Sequence, residues 1–266
     1  MIDAHQHLWR IGRNDCTWPT PDLAAIHRDY DVADLEAVAR PLGVTGSVLV
    51  QSQPSDRDTD WLLEIAAETP FILGVVGWAD LKAADAPVRI AHLARQPRLK
   101  GLRPMLQGLD PDWILDPAAE PAIRAMVEHG LTFDALVFPR HLPGLAVFAA
   151  RHPDLAIIID HGAKPLIGDG VLDPWRDDIA ALAALPQVTC KISGLLTEAN
   201  GRPSAALAPY VDHLVALFGP SRLMWGSDWP VVKLADTVVG GRNRARDLLG
   251  EAAASAVFGE VARGVY

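Results

Sequence analysis

The sequence predicts an α/β protein of the (β/α)8 barrel type. Three observations carry that expectation. Eight short runs rich in Val, Ile and Leu recur along 266 residues, each bounded by Gly, Pro or polar residues as buried strands are. A longer window of helical periodicity follows each run, and apolar strands joined by helices imply a parallel sheet covered on its outer face. No Gly-x-Gly-x-x-Gly follows the first run, which weakens the structural alternative, a doubly wound open sheet, against a closed barrel of roughly 250 residues. No linker or low-complexity tract divides the chain, so a single barrel domain over residues 1–266 is expected.

The runs are MIDAHQHL (1–8), TGSVLVQS (45–52), FILGVVGWAD (71–80), LKGLRPML (99–106), LTFDALVF (131–138), LAIIIDHG (155–162), VTCKISGL (188–195) and LMWGSDWP (223–230). Between the first two, Val32, Leu35, Val38, Ala39 and Leu42 make one helical stripe, and Trp61, Leu62, Ile65 and Ala66 make the next. Further helices are expected over 86–96, 118–129, 142–152, 174–185, 204–218 and 234–249, with a last one near 251–263. Asp31 and Ser204 stand where N-caps belong. Pro87, Pro117, Pro143 and Pro174 sit where a first turn tolerates a missing N–H, and Pro41 marks a last turn. The non-periodic stretch 9–31 is long for a connection, which suggests a lid or pocket wall.

Composition narrows the function. Lys and Arg number 24 against 33 Asp and Glu, a formal net charge of −9. Such a chain is a poor ligand for a phosphate backbone, so no nucleic-acid partner is expected. No stretch reaches the ~20 apolar residues of a membrane span, and no basic segment with an apolar core opens the chain, so a cytoplasmic location is expected. Cys16 and Cys190 belong to no CxxC pair, which excludes a disulfide framework and a zinc knuckle. A GxSxG elbow and a P-loop are both missing. Nothing in the sequence marks an oligomer interface.

In a parallel barrel the chemistry sits at the C-terminal ends of the strands. His5 and His7 end the first run, and residues two apart on a strand point the same way. Taken alone, HxH also reads as two polar residues at a strand end. Asp228 ends the eighth run, and closure of the barrel makes the first and eighth strands neighbours; the plainer reading is a loop cap before Pro230. His161 follows three isoleucines and Asp160 at the end of the sixth run, where it is either functional or satisfied by a local backbone bond. Imidazoles and a carboxylate gathered at one mouth can bind a metal or activate water. Arg103, ending the fourth run, suits a carboxylate, lactone or hydroxyl oxygen, or else an ion pair with Asp80 or another strand-end acid. Gln51 and Trp78 are expected as pocket walls. Asp134 lies nearer the start of its strand and is assigned to stability, Lys191 to pairing with an inner acid, and Cys190 to packing.

Taken in order, IDAHQH, GVVGW, KGLR, DHGAKP, KISGLLTEA and GSDWP make the chain similar to the amidohydrolase superfamily over essentially its whole length. More narrowly it resembles the sugar-lactone hydrolase branch, which includes L-fuconolactonases, L-rhamnonolactonases and 2-pyrone-4,6-dicarboxylate lactonases. The resemblance implies a distorted TIM barrel and a lactonase, a hydrolase of carboxylic esters, working on a small lactone in carbohydrate catabolism. It implies that Asp228 takes a proton from the attacking water and that His161 acts with it or binds substrate. It further implies that His5, His7 and Asp228 hold one divalent metal, zinc first, although the branch also contains metal-independent catalysis. Arg103, Gln51 and Trp78 would contact substrate. Lys100 stands at the start of the fourth strand, so no lysine-bridged binuclear site is expected. A metal-dependent decarboxylase of an unsaturated or aromatic acid and a pyrone-dicarboxylate lactonase are the alternatives. With Arg103 the one arginine placed firmly at the mouth, a neutral sugar lactone is favoured.

Overall fold

Eight parallel strands, β1 (Ile2–Gln6), β2 (Gly46–Val50), β3 (Ile72–Gly77), β4 (Leu99–Leu102), β5 (Thr132–Ala135), β6 (Ile157–Ile159), β7 (Val188–Ile192) and β8 (Leu223–Trp225), pair in chain order. The computed structural model describes residues 1–266, apart from the side chain at position 252. Closure runs just beyond β8: Gln6 bridges Trp229, the His7 amide donates to the Trp229 carbonyl at 2.8 Å, and the Asp228 amide donates to the His5 carbonyl at 2.8 Å. Asp3 ties the same seam, its Oδ1 accepting from the Ser227 amide at 2.8 Å. Gly226 is required there, because a Cβ on it would fall 2.5 Å from His5 Cβ.

Helices α1 (Val32–Ala39), α2 (Asp56–Glu68), α3 (Ala86–Leu93), α4 (Glu120–Glu128), α5 (Leu142–Arg151), α6 (Trp175–Ala183), α7 (Leu195–Glu198), α8 (Ala208–Phe218) and α9 (Val238–Leu249) follow the strands, and α10 (Glu251–Ser255) and α11 (Val261–Val265) end the chain. Asp31 caps α1 in a reciprocal capping box with Asp34. The main apolar core fills the space between strands and helices; a smaller one of Ile2, Ala4, Ile158 and Met224 fills the barrel interior, with Tyr266 packed against it. None of the helices among the described residues is long and apolar enough to cross a membrane.

Several expected boundaries move, for physical reasons. The strands end earlier than their apolar runs, because the exit residues turn away from the ladder to build the mouth; His161 and Asp228 both have φ 54, outside any strand. Ser204 is not a cap: it opens a short 3-10 turn, Ser204–Leu207, before α8 begins at Ala208. Pro174 occupies the N-cap of α6 rather than its first turn. The helix expected from 234 begins at Val238, where the Thr237 side chain accepts from the Gly240 amide. The last helix is interrupted by a π turn over Ala256–Glu260, in which Gly259 leaves helical geometry.

Candidate active site

The exits of β1, β4, β6 and β8 converge on one buried cluster. Register shifts between Asp3 and Gln6, which turns His5 and His7 toward the mouth while Ile2 and Ala4 stay in the interior core. His7 Nδ1 stands 2.8 Å from the Val50 carbonyl. A carbonyl only accepts, so Nδ1 carries a proton and donates it to Val50, leaving Nε2 to face the cluster. That Nε2 is 3.2 Å from His5 Nε2 and 3.3 Å from Asp228 Oδ1. His161 reaches the cluster from β6, its ring centroid 4.5 Å from that of His5 and its Nδ1 2.8 Å from Ser193 Oγ. Gly194 makes room for this: a Cβ there would lie 2.6 Å from His161 Nδ1.

Beneath the imidazoles lies a balanced set of buried charges. Asp160 Oδ2 accepts from Arg103 Nη1 at 3.1 Å, while its Oδ1 stands 3.1 Å from Lys191 Nζ and 3.3 Å from His5 Nδ1. Lys191 Nζ donates to Asp134 Oδ2 at 2.6 Å, and the Tyr266 hydroxyl donates to the same oxygen at 2.5 Å. Two cations thus face two carboxylates inside the barrel, the condition under which buried charges are tolerated. Burial works against ionisation of Asp160, but Lys191, His5 and Arg103 outweigh it and hold its carboxyl well below the ordinary range. Burial lowers His5 well below the usual imidazole value and takes His161 down to about 4, so both rings are neutral near pH 7. Burial would raise Asp228, yet the facing His161, His7 and His5 prevail and keep it ionised.

A cavity of about 340 Å³ opens above this cluster. His7, Arg103, His161 and Asp228 form its base, and Trp18, Gln53, Lys164 and Glu198 are among its walls. The 9–31 stretch supplies Trp18. It is held by the Trp9–Tyr30 bridge, by Trp9 Nε1 donating to the Arg28 carbonyl at 2.8 Å, and by Gln53 Nε2 donating to the Trp18 carbonyl at 2.9 Å.

The Amidohydrolase family model matches residues 2–266. The chain belongs to the amidohydrolase family. It is 53% identical over 236 residues to an L-fucono-1,5-lactonase of Burkholderia ambifaria, covering 88% of this chain and 81% of that one. A second L-fucono-1,5-lactonase, from Burkholderia multivorans, is 36% identical over 282 residues, covering 100% and 95%. Among solved structures, an amidohydrolase from Burkholderia multivorans with bound zinc superposes with a TM-score of 0.93 at 33% identity, covering 100% and 98%.

Within this amidohydrolase fold the donor set fits a divalent metal. His5, His161 and Asp228 offer ligand atoms all within 4.8 Å of one another. His7 Nε2 adjoins the same point, 3.3 Å from Asp228 Oδ1, while its other nitrogen is committed to the Val50 carbonyl. A cation among these atoms relieves the crowding of lone pairs, and imidazole with carboxylate suits zinc.

Two expected pocket walls lie elsewhere. Gln51 is below the cavity: its Nε2 donates to the Arg103 carbonyl at 2.7 Å, and its own carbonyl accepts from the Arg103 guanidinium. It supports the arginine rather than lining the pocket. Trp78 donates its amide to the Thr59 hydroxyl of α2 at 2.8 Å and is not among the residues lining the cavity. Arg103 combines both readings considered for it, pairing with Asp160 and also lining the cavity. Sequence reasoning did not single out Lys164, Glu198 or Ser193. Asp160 was visible as the polar switch after three isoleucines, and Lys164 and Glu198 as the charges of the KP and TEA segments.

Proposed function

We propose that this amidohydrolase opens a sugar-derived lactone to its hydroxy acid, in the cytoplasm and in the service of carbohydrate catabolism. The observation that carries the reading is the convergence of an ionised Asp228 with His5, His7 and His161 at the base of a cavity sized for a small ring. The lactonase names of the two curated relatives support it.

In this account Asp228 accepts a proton from a water whose oxygen attacks the lactone carbonyl carbon. His161 is neutral, and where the metal is held by His5, His7 and Asp228 alone, a Ser193 hydroxyl donating to its Nδ1 would leave the Nε2–H to donate to the carbonyl oxygen as negative charge develops there. Arg103, fixed by Asp160 and Gln51, adds positive potential on the same side. A divalent metal held by His5, His7 and Asp228 would polarise the carbonyl and lower the cost of the oxyanion. As the carbon–ring-oxygen bond breaks, Asp228 returns its proton to the leaving alkoxide, giving a hydroxyl and a carboxylic acid that ionises in solution.

That released proton is the assay. A pH-indicator measurement over a panel of aldonolactones should show acid release above the spontaneous rate for at least one six-carbon member. Release from none, with carbon dioxide evolved from an unsaturated acid instead, would replace the lactonase by a decarboxylase.

A further inference from the structure

We infer that Lys164 and Glu198 form a hydroxyl-binding subsite on the cavity wall that selects uncharged lactones carrying neighbouring ring hydroxyls. The inference rests on the lactonase reading and narrows its substrate.

Lys164 is aimed by a costly piece of backbone. His161, Gly162, Ala163 and Lys164 all lie in the left-handed region, at φ 54, 57, 63 and 50. Only Gly adopts that conformation freely, and strain of this kind collects where a side chain must be directed. The turn is held by the Lys164 amide donating to the His161 carbonyl at 2.9 Å and by Trp175 Nε1 donating to the Gly162 carbonyl at 2.7 Å. It places His161 on the base and Lys164 on the wall of one cavity. Glu198 arrives opposite, at the end of α7.

The pair is loose. Lys164 Nζ and Glu198 Oε1 are 3.5 Å apart, well beyond the roughly 2.7–2.9 Å of a saturated charge-assisted bond. Each side chain is about one fifth exposed, 20% and 22%, and that exposure is toward the cavity they line. Phe138 flanks the ammonium, its ring centroid 5.5 Å from Nζ. A donor-only group therefore sits beside an acceptor-only group, both with unused capacity. Two adjacent hydroxyls match that arrangement: one accepts from the ammonium while its neighbour donates to the carboxylate.

The charge balance favours an uncharged ring over a carboxylated one. Among the described residues, Arg103 and Lys164 are the Lys and Arg side chains lining the cavity. Arg103 is paired with Asp160 at 3.1 Å and Lys164 with Glu198 at 3.5 Å. A ring bearing carboxylates would meet two cations whose charge is already balanced by Asp160 and Glu198, and would face the negative charges of Asp228 and Glu198.

The test compares kcat/KM for an L-aldono-1,5-lactone with that for δ-valerolactone, the same ring without hydroxyls. The unmodified enzyme should prefer the hydroxylated lactone. In Glu198→Gln and in Lys164→Met that preference should fall by about 10-fold or more, because a site built to bond a hydroxyl discriminates against its absence. Most of the change should appear in KM. Inhibition by 2-pyrone-4,6-dicarboxylate should strengthen in Glu198→Gln, where one opposing charge is gone. The milder Glu198→Asp, with circular dichroism melting as control, keeps the test sharp should either variant fold poorly, and it should lower the preference less. An unchanged preference, with both lactones slowed alike, would overturn the subsite and leave the lactonase reading intact. Turnover of neither lactone by the unmodified enzyme would strike the lactonase reading itself, and the subsite with it.

Discussion

Asp228 Oδ1 stands 3.3 Å from His7 Nε2, although one follows the last strand and the other the first. The contact exists because the backbone after β8 runs against β1 closely enough for the Asp228 amide to donate to the His5 carbonyl. Gly226 permits that approach. Gly226→Ala should therefore destabilise the fold by about 1–3 kcal/mol, as overpacking does, and should depress activity further than the loss of folded protein explains. Urea unfolding beside steady-state rates checks both; a variant equal to wild type in each would show that the seam is slack.

The donor cluster predicts metal binding that depends on particular side chains. Calorimetric titration of chelator-treated protein with zinc should show a site whose affinity falls about 10-fold or more in His5→Ala and in Asp228→Asn. Affinity indifferent to both substitutions would move the metal elsewhere. Activity before and after chelation then separates a metal that assists from one that merely resides.

Lys191 is wholly buried between Asp134 and Asp160. Lys191→Met would leave those carboxylates facing one cation, Arg103, and should cost about 3–5 kcal/mol. Adding Asp134→Asn should recover part of that loss, since the two side chains are in direct contact. Additive losses in denaturant unfolding would contradict the charge balance described above.

One buried carboxyl should withdraw stability as pH rises through the weakly acidic range, against the opposite contribution of the neutral, buried His5 and His161. Asp58 is buried on α2, and that burial lifts its pKa to about 7, against the bonds it accepts from the Ser52 and Gln53 amides. An unfolded aspartate releases its proton near pH 3.9. Between those values the folded chain binds a proton at Asp58 that the unfolded chain has lost, so the Asp58 contribution to stability declines from about pH 4 to about pH 7 and levels above it. Asp3, raised to about 6 chiefly by burial, acts in the same direction. Asp58→Asn should therefore make the slope of melting temperature against pH between about pH 4.5 and 7 more positive than in the wild type, by removing this declining contribution. Identical slopes in the two proteins would refute the assignment.

The barrel was legible in the sequence because its strands are apolar on both faces and its exits are not. His5 and His7, His161 and Asp228 each follow such a run, so the abrupt change of polarity marked them. Closure then required the first and last exits to meet, as the Gln6–Trp229 bridge does. What pattern does not encode is side-chain direction after a strand leaves the sheet. Gln51 and Trp78 stand at exits, yet neither lines the pocket: Gln51 is bonded to Arg103, and the Trp78 backbone is bonded to Thr59. The Lys164–Glu198 pair was hidden for a related reason: it joins two loops through a left-handed turn for which Gly162 is the only local sign. Asp160 was seen beside His161 without its role, because its partners Arg103, Lys191 and His5 come from three other strands.

The most direct test of the account is acid release from an L-aldono-1,5-lactone by the wild-type protein and by Asp228→Asn, with near-ultraviolet circular dichroism to confirm that both are folded. The account predicts turnover well above the spontaneous rate for wild type and a loss of about 1,000-fold or more in the variant, the scale expected when a general base and its electrostatic role are removed together. Turnover that survives the substitution would contradict the role given to Asp228, and a folded wild type that opens no lactone would contradict the function.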